Sequence, residues 1–500
     1  MNVTTPIADR TPGKPSLERH VRIAIVGAGM AGILMGIKLR KAGIEDFIIF
    51  EKSDGVGGTW HLHSYPGLCC DIPSHLYSYS FELNSEWSKV YPEQPELQAY
   101  FDACARKYGV TSHIKFRTAV TKAQFDADKA EWRIEAEDGR CFTAQFLVTA
   151  QGGLNAPQFP DISGRESFAG VSFHSAQWNG TADLSGKRVA VIGSAASAIQ
   201  IIPQAAAKAA HVDVFQRTPN WILPRHNEDY TQKQRERFRR FPFLMRLHRL
   251  KLYLTTHMTL FAFRGNRFVS NKIMEIAKAN MRKSISDPAM LRALTPNYLP
   301  GCKRLLISDD YYPALARPNV ELVTDRIGEI EREGIRTVDG RLHKADVVIY
   351  CTGYQVPNTE GFSYIRNAEG MSIADAWRDR LEAHRGVALP GFPNYFMMTG
   401  PNGILGYTSV ILPAEIEADY IIRTMEKAAE RRLETIEVRR DAMDAYNNRI
   451  QAGLRDTIWA TDCPSYYKDE HGRVIVFYPW SASRFSREMR HASLEEYAVS

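Results

Sequence analysis

A chain of 500 residues is longer than one hydrophobic core can organise, since single cores stop growing at roughly 250–300 residues, so two or three domains are predicted. Apolar residues make up 44% of the sequence and charged residues 24%, which excludes a disordered or collagen-like chain. The net charge of +6 suits an anionic small molecule and is too small to indicate nucleic-acid binding.

The first twenty residues are polar, with three prolines and no apolar stretch, so no secretory signal is predicted. No run approaches the ~18 uncharged apolar residues of a membrane span, and we expect no stable membrane insertion. Seven cysteines are scattered and odd in number, and they indicate neither a disulfide framework nor a Cys-x-x-Cys metal pair. We therefore expect a cytoplasmic protein without a bound metal.

The first structural unit is a strand, a glycine loop, a helix and a second strand. An apolar strand over 21–26 leads into the loop Gly27 to Gly32, and the second strand over 47–50 ends at Glu51. This pattern is typical of the βαβ unit of a Rossmann-like dinucleotide-binding domain. Glycines that serve only a tight strand–helix turn are the alternative.

Each glycine of this loop has its own predicted role. Gly27 makes the tight turn, Gly29 lets the backbone approach a pyrophosphate, and Gly32 lets helix and strand pack closely. The pyrophosphate then lies at the helix N-terminus, beginning at Met30, where free N–H groups favour an anion. Glu51 can accept hydrogen bonds from both ribose hydroxyls and would repel a 2′-phosphate, which predicts FAD or NAD.

A second glycine loop, Gly55 to Trp60, follows at once. Its residues Gly58, Thr59 and Trp60 suit close contact to the ribityl chain and ring of a flavin, so this unit is predicted to bind FAD. Core packing is the alternative for the tryptophan.

The same pattern recurs in a second unit. A strand over 188–192 leads into Gly193, and the following helix and strand end at Arg217. The spacing from first glycine to last residue is 24 positions in both units, from Gly27 to Glu51 and from Gly193 to Arg217. Two βαβ units of equal length predict two dinucleotide-binding domains.

Arginine at the end of the second unit changes the predicted cofactor. A guanidinium recognises a 2′-phosphate through two parallel hydrogen bonds, so this unit is predicted to bind NADPH. Ala195 and Ala198 replace the second and third glycines and keep the pyrophosphate slightly further out. A solvated arginine at a strand end is the alternative. The predicted contacts to NADPH in this unit are Gly193, Ser194, Ala195, Ser197, Arg217 and Thr218.

The rest of the chain completes an α/β fold of two Rossmann-like domains. Similar strand-to-glycine segments, 146–152 and 347–353, follow the two units, and residues 231–292 predict an inserted helical subdomain. The expected domains are an FAD-binding domain of residues 20–160 and 390–500, an NADPH-binding domain of 161–230 and 293–389, and the insert.

Residues 168–178 read Phe-x-Gly-x-x-x-His-x-x-x-Trp and lie just before the second unit. This motif resembles the signature of the Baeyer–Villiger monooxygenases, and the resemblance extends over nearly the whole chain. Further similar segments are 65–71, 301–304, 310–312, 392–394 and 400–402. Asn179 departs from the family, which has Pro or Asp there. The sister family of flavin-containing monooxygenases has Tyr or Phe and then Lys where this chain has Trp178 and Asn179.

The resemblance implies an NADPH- and O2-dependent oxidation of a small-molecule ketone to an ester or lactone, through a peroxide at C4a of the reduced flavin. It also implies that Arg304 stabilises the anionic oxygen species and that Asp71 orients its guanidinium. Lys303 resembles a second ligand for the 2′-phosphate, and Tyr77 and Val120 match positions that line FAD. A purely structural Arg–Asp pair is the alternative. His174 is implied to link the domains.

Two segments are candidates for closing the site against water, which would discharge a peroxide. They are the inserted helices near 241–263 and the segment 460–480. Residues 241–250 also have the mixed basic and apolar character of a membrane-surface helix. A cap over the substrate pocket is the leading interpretation, with membrane contact or an ordinary packed helix as the alternatives.

Three other functions fit parts of the sequence. A flavin-containing monooxygenase that oxidises nitrogen or sulfur would use the same cofactors. A disulfide reductase also pairs two such domains, but it needs a redox-active cysteine pair, and only vicinal Cys69 and Cys70 are present. A non-catalytic redox sensor would not require Arg304 and Asp71.

Overall fold

The computed structural model describes residues 17–500, so most of the segment used to exclude a secretory signal lies outside the described residues. The described residues form twenty strands. In chain order these are β1 (Leu17–Val26), β2 (Phe47–Phe50), β3 (Ile114–Lys115), β4 (Val120–Asp126), β5 (Glu131–Ala136), β6 (Cys141–Thr149), β7 (Val171–His174), β8 (Arg188–Ile192), β9 (His211–Phe215), β10 (Ile222–Leu223), β11 (Leu306–Ile307), β12 (Val320–Val323), β13 (Ile327–Glu331), β14 (Gly334–Thr337), β15 (Leu342–Lys344), β16 (Val347–Tyr350), β17 (Ile365–Arg366), β18 (Tyr395–Met397), β19 (Ile436–Val438) and β20 (Tyr497–Val499).

Fourteen α-helices accompany these strands in the same residues. They are α1 (Met30–Lys41), α2 (Thr59–Leu62), α3 (Gln94–Lys107), α4 (Ala198–Lys208), α5 (Gln232–Arg240), α6 (Pro242–His257), α7 (Thr259–Phe263), α8 (Arg267–Arg282), α9 (Pro288–Leu294), α10 (Tyr311–Leu315), α11 (Ile373–Ala376), α12 (Ile411–Glu430), α13 (Arg440–Leu454) and α14 (Ala482–Arg490). Over the described part of the chain, none of these helices has both the length and the apolar character that crossing a bilayer requires.

The first sheet contains the first predicted βαβ unit. Its strand order is β17-β4-β5-β6-β1-β2-β3, and β18 pairs with β6. Strand β1 lies between β2 and β6 and is parallel to both. The strand–helix–strand prediction for this unit is confirmed.

The second sheet is parallel throughout, in the order β12-β9-β8-β16-β7. Its neighbours β8 and β9 enclose α4, as the second predicted βαβ unit requires. The described residues therefore form the α/β fold with two Rossmann-like sheets that the sequence predicts.

The two units match in hydrogen bonding as well as in spacing. The N–H of Gly27 donates to the carbonyl of Phe50 at 2.8 Å, and the N–H of Gly193 donates to that of Phe215 at 2.9 Å. The strand-to-glycine segments predicted after each unit are β6 and β16, which lie beside β1 and β8. Each unit is thus closed in the same way.

The C-terminal part of the chain packs against the first sheet and helps to bury its core. Strand β2 is fully buried, as are Val21 and residues 23–25 of β1, and burying a large aliphatic side chain contributes roughly 1.5–3 kcal/mol. Helix α12, from the C-terminal part of the chain, packs against α1. The first domain is therefore built from both ends of the sequence.

The chain returns to the first sheet earlier than the predicted boundary at residue 390. Strand β17 pairs with β4 of the first sheet, and Ile373, Trp377 and Leu389 join its buried core. The sequence gives no signal for this pairing, because a two-residue strand after an irregular loop has no periodicity to detect. The expected helical insert at 231–292 is present as α5 to α9, with the last helix ending at Leu294.

Candidate active site

The first glycine loop is as tight as its predicted roles require. Gly27 has a φ of +102°, and a Cβ placed there would lie 2.8 Å from the carbonyl oxygen of Ala150. A Cβ on Gly32 would lie 1.8 Å from the carbonyl oxygen of Gly27. A side chain at either position would therefore collide with backbone.

Two glycine loops meet at the beginning of α1. Gly29 and Gly57 form a bridge, and a Cβ on Gly58 would lie 2.9 Å from the Cα of Gly29. Helix α1 begins at Met30, and the first N–H groups of a helix have no acceptor within it. The result is a cradle of bare backbone and helix N–H groups, which suits a pyrophosphate.

Glu51 lies at the end of β2, buried beside this cradle. Its Oε2 accepts a hydrogen bond from the N–H of Ala28 at 2.7 Å, and its Oε1 accepts one from the N–H of Ser53 at 2.8 Å. The hydroxyl of Ser53 also donates to Oε1 at 2.7 Å. A carboxylate has about four acceptor sites, so about one remains for a ribose hydroxyl.

The aromatic residues predicted beside the flavin contact one another. The Nε1–H of Trp60 donates to the hydroxyl of Tyr77 at 3.0 Å, and the rings meet edge to face. Burial raises the pKa of Tyr77, which keeps its hydroxyl protonated. Thr59 begins α2, and half-buried Val120 begins β4. The structure brings Trp60 and Tyr77 together.

The second glycine loop is equally tight at its first residue. Gly193 has a φ of +117°, and a Cβ there would lie 2.4 Å from the carbonyl oxygen of Cys351. The hydroxyl of Ser194 donates to the carbonyl of Thr218 at 3.2 Å. Ala195 is exposed and Ser197 lies directly before α4, so both are accessible to a ligand at that helix N-terminus.

Two cations lie close to each other at the end of the second unit. Burial lowers the pKa of Lys303, and the charge of Arg217 lowers it further. Over residues 19–500, no carboxylate lies within 4 Å of either side chain. Neighbouring cations without a carboxylate favour binding of a multiply charged anion such as a phosphate.

Arg304 and Asp71 form an ion pair between the segment that follows the first unit and the loop that follows the insert. Nε and Nη2 of Arg304 lie 2.6 Å and 2.5 Å from Oδ2 of Asp71, which belongs to the segment after α2. The carboxylate charge raises the pKa of Arg304 even though burial acts in the opposite direction. The arginine side chain keeps 46% of its surface accessible, so a ligand can reach it.

The segment 65–71 is attached to the second unit, and this positions Asp71. Gln200 of α4 accepts a hydrogen bond from the hydroxyl of Tyr65 at 3.0 Å and donates one to the carbonyl of Cys69 at 3.0 Å. A Cβ on Gly67 would lie 2.7 Å from the carbonyl oxygen of Gln200. The sequence analysis missed this glutamine, since nothing in its local pattern separates it from other helix positions.

Arg225 is a second interface residue that the sequence analysis missed. Its Nη1 donates to Sγ of Cys69 at 2.8 Å, and its Nη2 donates to Oδ2 of Asp310 at 3.0 Å. It therefore connects the segment carrying Asp71 to the 310–312 segment. In the sequence, the only hint of a role for Arg225 is that it follows closely after strand β10.

The fingerprint at 168–178 has a structural basis. A Cβ on Gly170 would lie 2.4 Å from the carbonyl oxygen of Asp346 and 2.7 Å from the ring of Phe168, so glycine is required there. Trp178 packs edge to face on Phe173, with ring centroids 4.9 Å apart. Gly170 therefore lets β7 begin directly against Asp346, the residue before its partner strand β16.

His174 is fully buried, as a linking residue should be. Its ring contacts the ring of Tyr354 with centroids 6.0 Å apart, and the hydroxyl of Tyr354 shares a hydrogen bond with Nε2 of His63 at 3.2 Å. His63 follows α2 of the first unit. The departure at Asn179 is local, because its side chain accepts hydrogen bonds from Thr181.

The C-terminal segment approaches Arg304. Tyr466 and Tyr467 contribute to the raised pKa of that arginine, which places them beside it, and Tyr467 is buried. Cys302 and Cys463 form a disulfide, with their Cα atoms 6.2 Å apart. The sequence indicates no disulfide framework, and this one disulfide could not be predicted, because 161 residues separate its members in sequence.

The helical insert packs against the loop 301–304, which carries Lys303 and Arg304. A Cβ on Gly301 would lie 2.4 Å from the ring of Phe263 in α7, so the aromatic ring fits directly over this glycine. The neighbouring residues are Lys303 and Arg304. The loop that carries both predicted cations is therefore held between the insert and the C-terminal segment.

Comparisons with known proteins agree with this geometry. Residues 24–271 match the family described as pyridine nucleotide-disulphide oxidoreductase. A Baeyer–Villiger monooxygenase of Pseudomonas aeruginosa is 37% identical over 493 residues, covering 98% of this chain and 94% of the relative.

Two solved structures resemble the fold over 96% of this chain. A complex of OTEMO with FAD and NADP has a TM-score of 0.85 at 26% identity and is covered over 99% of its own length. Cyclohexanone-bound cyclohexanone monooxygenase has a TM-score of 0.84 at 27% identity and is also covered over 99%. This chain belongs to the Baeyer–Villiger monooxygenase family.

Proposed function

We propose that this chain converts a ketone, O2 and NADPH, with one proton, into an ester or lactone, water and NADP+, with FAD as its bound cofactor. The observation that carries the proposal is the Arg304–Asp71 ion pair, with one partner from each side of the junction between the two units. The relatives favour a ketone over a nitrogen or sulfur substrate.

The residues present fit both cofactors. The bare backbone cradle at Gly29 and Gly58, with Glu51 beside it, suits the pyrophosphate and ribose of FAD. Arg217 and Lys303 suit the 2′-phosphate of NADPH. When bound, reduced FAD activates oxygen and NADPH supplies the hydride.

Further contacts follow from these positions. For FAD we propose Gly27, Met30, Gly32, Thr59, Trp60, Asp71, Tyr77, Val120 and Arg304, and for NADPH we propose Gly193, Ser194, Ala195, Ser197 and Thr218. We assign FAD binding to the first sheet with its return from β17 onward, and NADPH binding to the second sheet.

Arg304 supplies a permanent positive charge to the candidate site. Arginine does not lose its proton in proteins, and the carboxylate of Asp71 raises its pKa further. A fixed cation stabilises oxygen atoms that carry negative charge during the reaction, and it does so best where water is scarce. Asp71 holds the planar guanidinium in one orientation.

Two segments pack around the loop that carries Arg304, and we infer that they limit the access of water when both cofactors are bound. Tyr467 is buried beside Arg304, and Phe263 of the insert covers Gly301. Such closure matters because water or stray protons divert activated oxygen to hydrogen peroxide. Vicinal Cys69 and Cys70 are both unpaired, and burial raises the pKa of each, which does not suit a disulfide reductase.

The decisive experiment supplies the flavin-loaded protein with NADPH, ¹⁸O2 and a panel of cyclic, aryl and long-chain ketones beside a thioether. We expect NADPH oxidation coupled to an ester that contains one ¹⁸O atom. Sulfoxide without ester would favour heteroatom oxidation, and the absence of substrate-dependent oxygen uptake would favour a redox sensor.

A further inference from the structure

Helix α6 of the insert exposes large apolar side chains that a soluble protein normally turns inward. Surface helices normally turn apolar residues inward and charged residues outward. Here Leu247, Leu250 and Leu254 point to solvent, with exposures of 59%, 50% and 54%. These three leucines form an apolar stripe that no other part of the described protein covers.

The inward face of the same helix mixes apolar and polar side chains: Met245 is buried, and Leu244, His248 and Arg249 are partly buried. Arg249 donates to the backbone carbonyls of His75 and Ser78, and burial lowers its pKa. The neighbouring His248 shares a hydrogen bond with the hydroxyl of Tyr230 at 2.9 Å. Helix α6 is thus anchored to the protein by Arg249 and His248, while three of its leucines stay exposed.

The apolar stripe is long and continues through α7. Phe243, Leu247, Leu250, Leu254, Met258 and Phe261 follow one another at intervals of three or four residues, which places them on one face over about 27 Å. Phe268 at the start of α8 is 81% exposed. Nine of the sixteen large exposed apolar side chains in the described residues fall within 241–276. Such concentration marks an interaction surface.

Charge identifies the partner. Residues 231–292 contain fifteen Lys or Arg and three Asp or Glu, a formal charge of +12, whereas the whole chain carries +6. Within residues 19–500, the ion pairs made by the insert are Arg239 with Glu86 and Lys272 with Glu275. Most of these cations are therefore available to an anionic surface. A second copy of the chain would bring the same +12 charge to the contact and be repelled.

We propose that the insert attaches this enzyme to the surface of an anionic phospholipid membrane, with the stripe from Phe243 to Phe261 in the headgroup region. Apolar side chains enter the boundary between headgroups and acyl chains, and each nearby Lys or Arg adds roughly 1 kcal/mol of attraction to anionic lipid. Arg246 and Lys251 flank the stripe and are exposed. The attachment is peripheral and does not depend on the oxidation reaction.

The test is flotation of the full-length flavin-loaded protein with vesicles of phosphatidylcholine, with or without phosphatidylserine. We expect binding to the vesicles that contain phosphatidylserine and at least about a tenfold weaker partition at high salt, because salt screens the basic residues. Leu247→Glu with Leu254→Glu should reduce binding by at least about tenfold, since both side chains lie outside the protein core.

The matched control is Val338→Glu, which changes an apolar side chain with 63% exposure just after β14, far from the insert in sequence, and should leave vesicle binding unchanged. Ketone oxidation in solution should be unaffected in all three glutamate substitutions. The proposal is overturned if the parent protein does not float with anionic vesicles, or if the double variant binds as well as the parent. It is also overturned if the stripe instead mediates self-association, seen as a concentration-dependent dimer that the double variant abolishes.

Discussion

The two dinucleotide units have the same backbone and opposite side-chain chemistry. Both begin with a left-handed glycine that donates to the end of the neighbouring strand, at Gly27 and Gly193. Twenty-four positions later the first ends in buried Glu51, already bonded to its own loop, and the second in exposed Arg217. We therefore propose that one scaffold serves both FAD and NADPH, and that the last residue of each unit distinguishes the two cofactors.

We expect the largest difference between the two units when the third glycine position of the loop is substituted. Gly32→Ala should cost more than about 3 kcal/mol and prevent recovery of folded yellow protein, because the new Cβ would meet the backbone of Gly27. The matched position of the second unit already holds Ala198, and Ala198→Gly should cost only about 1 kcal/mol. Thermal unfolding and flavin absorbance measure both, and a stable flavin-loaded Gly32→Ala protein would contradict the packing argument.

At the junction of the units, Arg304→Ala should lower ester formation by about 10²–10³-fold, the usual loss when a charge-stabilising donor is removed. Bound flavin should be retained, because the backbone cradle is intact. Product formation under saturating NADPH tests this, with flavin content and thermal stability as controls. Arg304→Lys should recover only part of the rate, since an ammonium cannot form the same fork with Asp71. Ester formation by Arg304→Ala at the parent rate would refute the role.

The phosphate assignment of the second unit predicts a smaller effect. Arg217→Ala should raise the KM for NADPH by about 10–100-fold, because a charged hydrogen bond contributes roughly 1.5–3 kcal/mol. The KM for NADH should stay the same, as should flavin content. Steady-state kinetics with both nucleotides gives the ratio, and Arg217→Lys should lie between the parent and the alanine variant. An unchanged ratio would count against a 2′-phosphate at this position.

The smallest expected effect is a pH dependence of NADPH binding. Burial and Arg217 lower the pKa of Lys303, so its positive charge is present at low pH and is lost as pH rises through this depressed pKa. The KM for NADPH should therefore rise severalfold on the alkaline side at a lower pH than an ordinary lysine would allow. In Lys303→Met the KM for NADPH should be higher at all pH values and should change less with pH. The KM for NADH should show no such alkaline rise in either protein.

The elements with strong local periodicity could be predicted from sequence. The glycine spacing, the two βαβ units and their closing strands are each encoded within about 30 residues and were predicted correctly. The return of the chain at β17 could not be, because two residues carry no pattern and their pairing is decided by a distant sheet.

The candidate site shows the same limit. Arg304 and Asp71 were found through resemblance, and the structure places them in contact. Gln200 and Tyr467 were missed, since each acts across the interface between segments far apart in sequence. The outward leucines of α6 were noticed as a mixed pattern, but only burial shows which face they occupy.

The first sheet has a consequence for how the protein is made. Strands β17 and β18 complete a sheet whose β1 leaves the ribosome more than 300 residues earlier. Contacts between such distant segments slow folding, and an incomplete sheet exposes an edge to other chains. A fragment that stops before β17 would lack part of its own core, so biosynthesis must reach the last third of the polypeptide before the nucleotide fold at its beginning becomes complete.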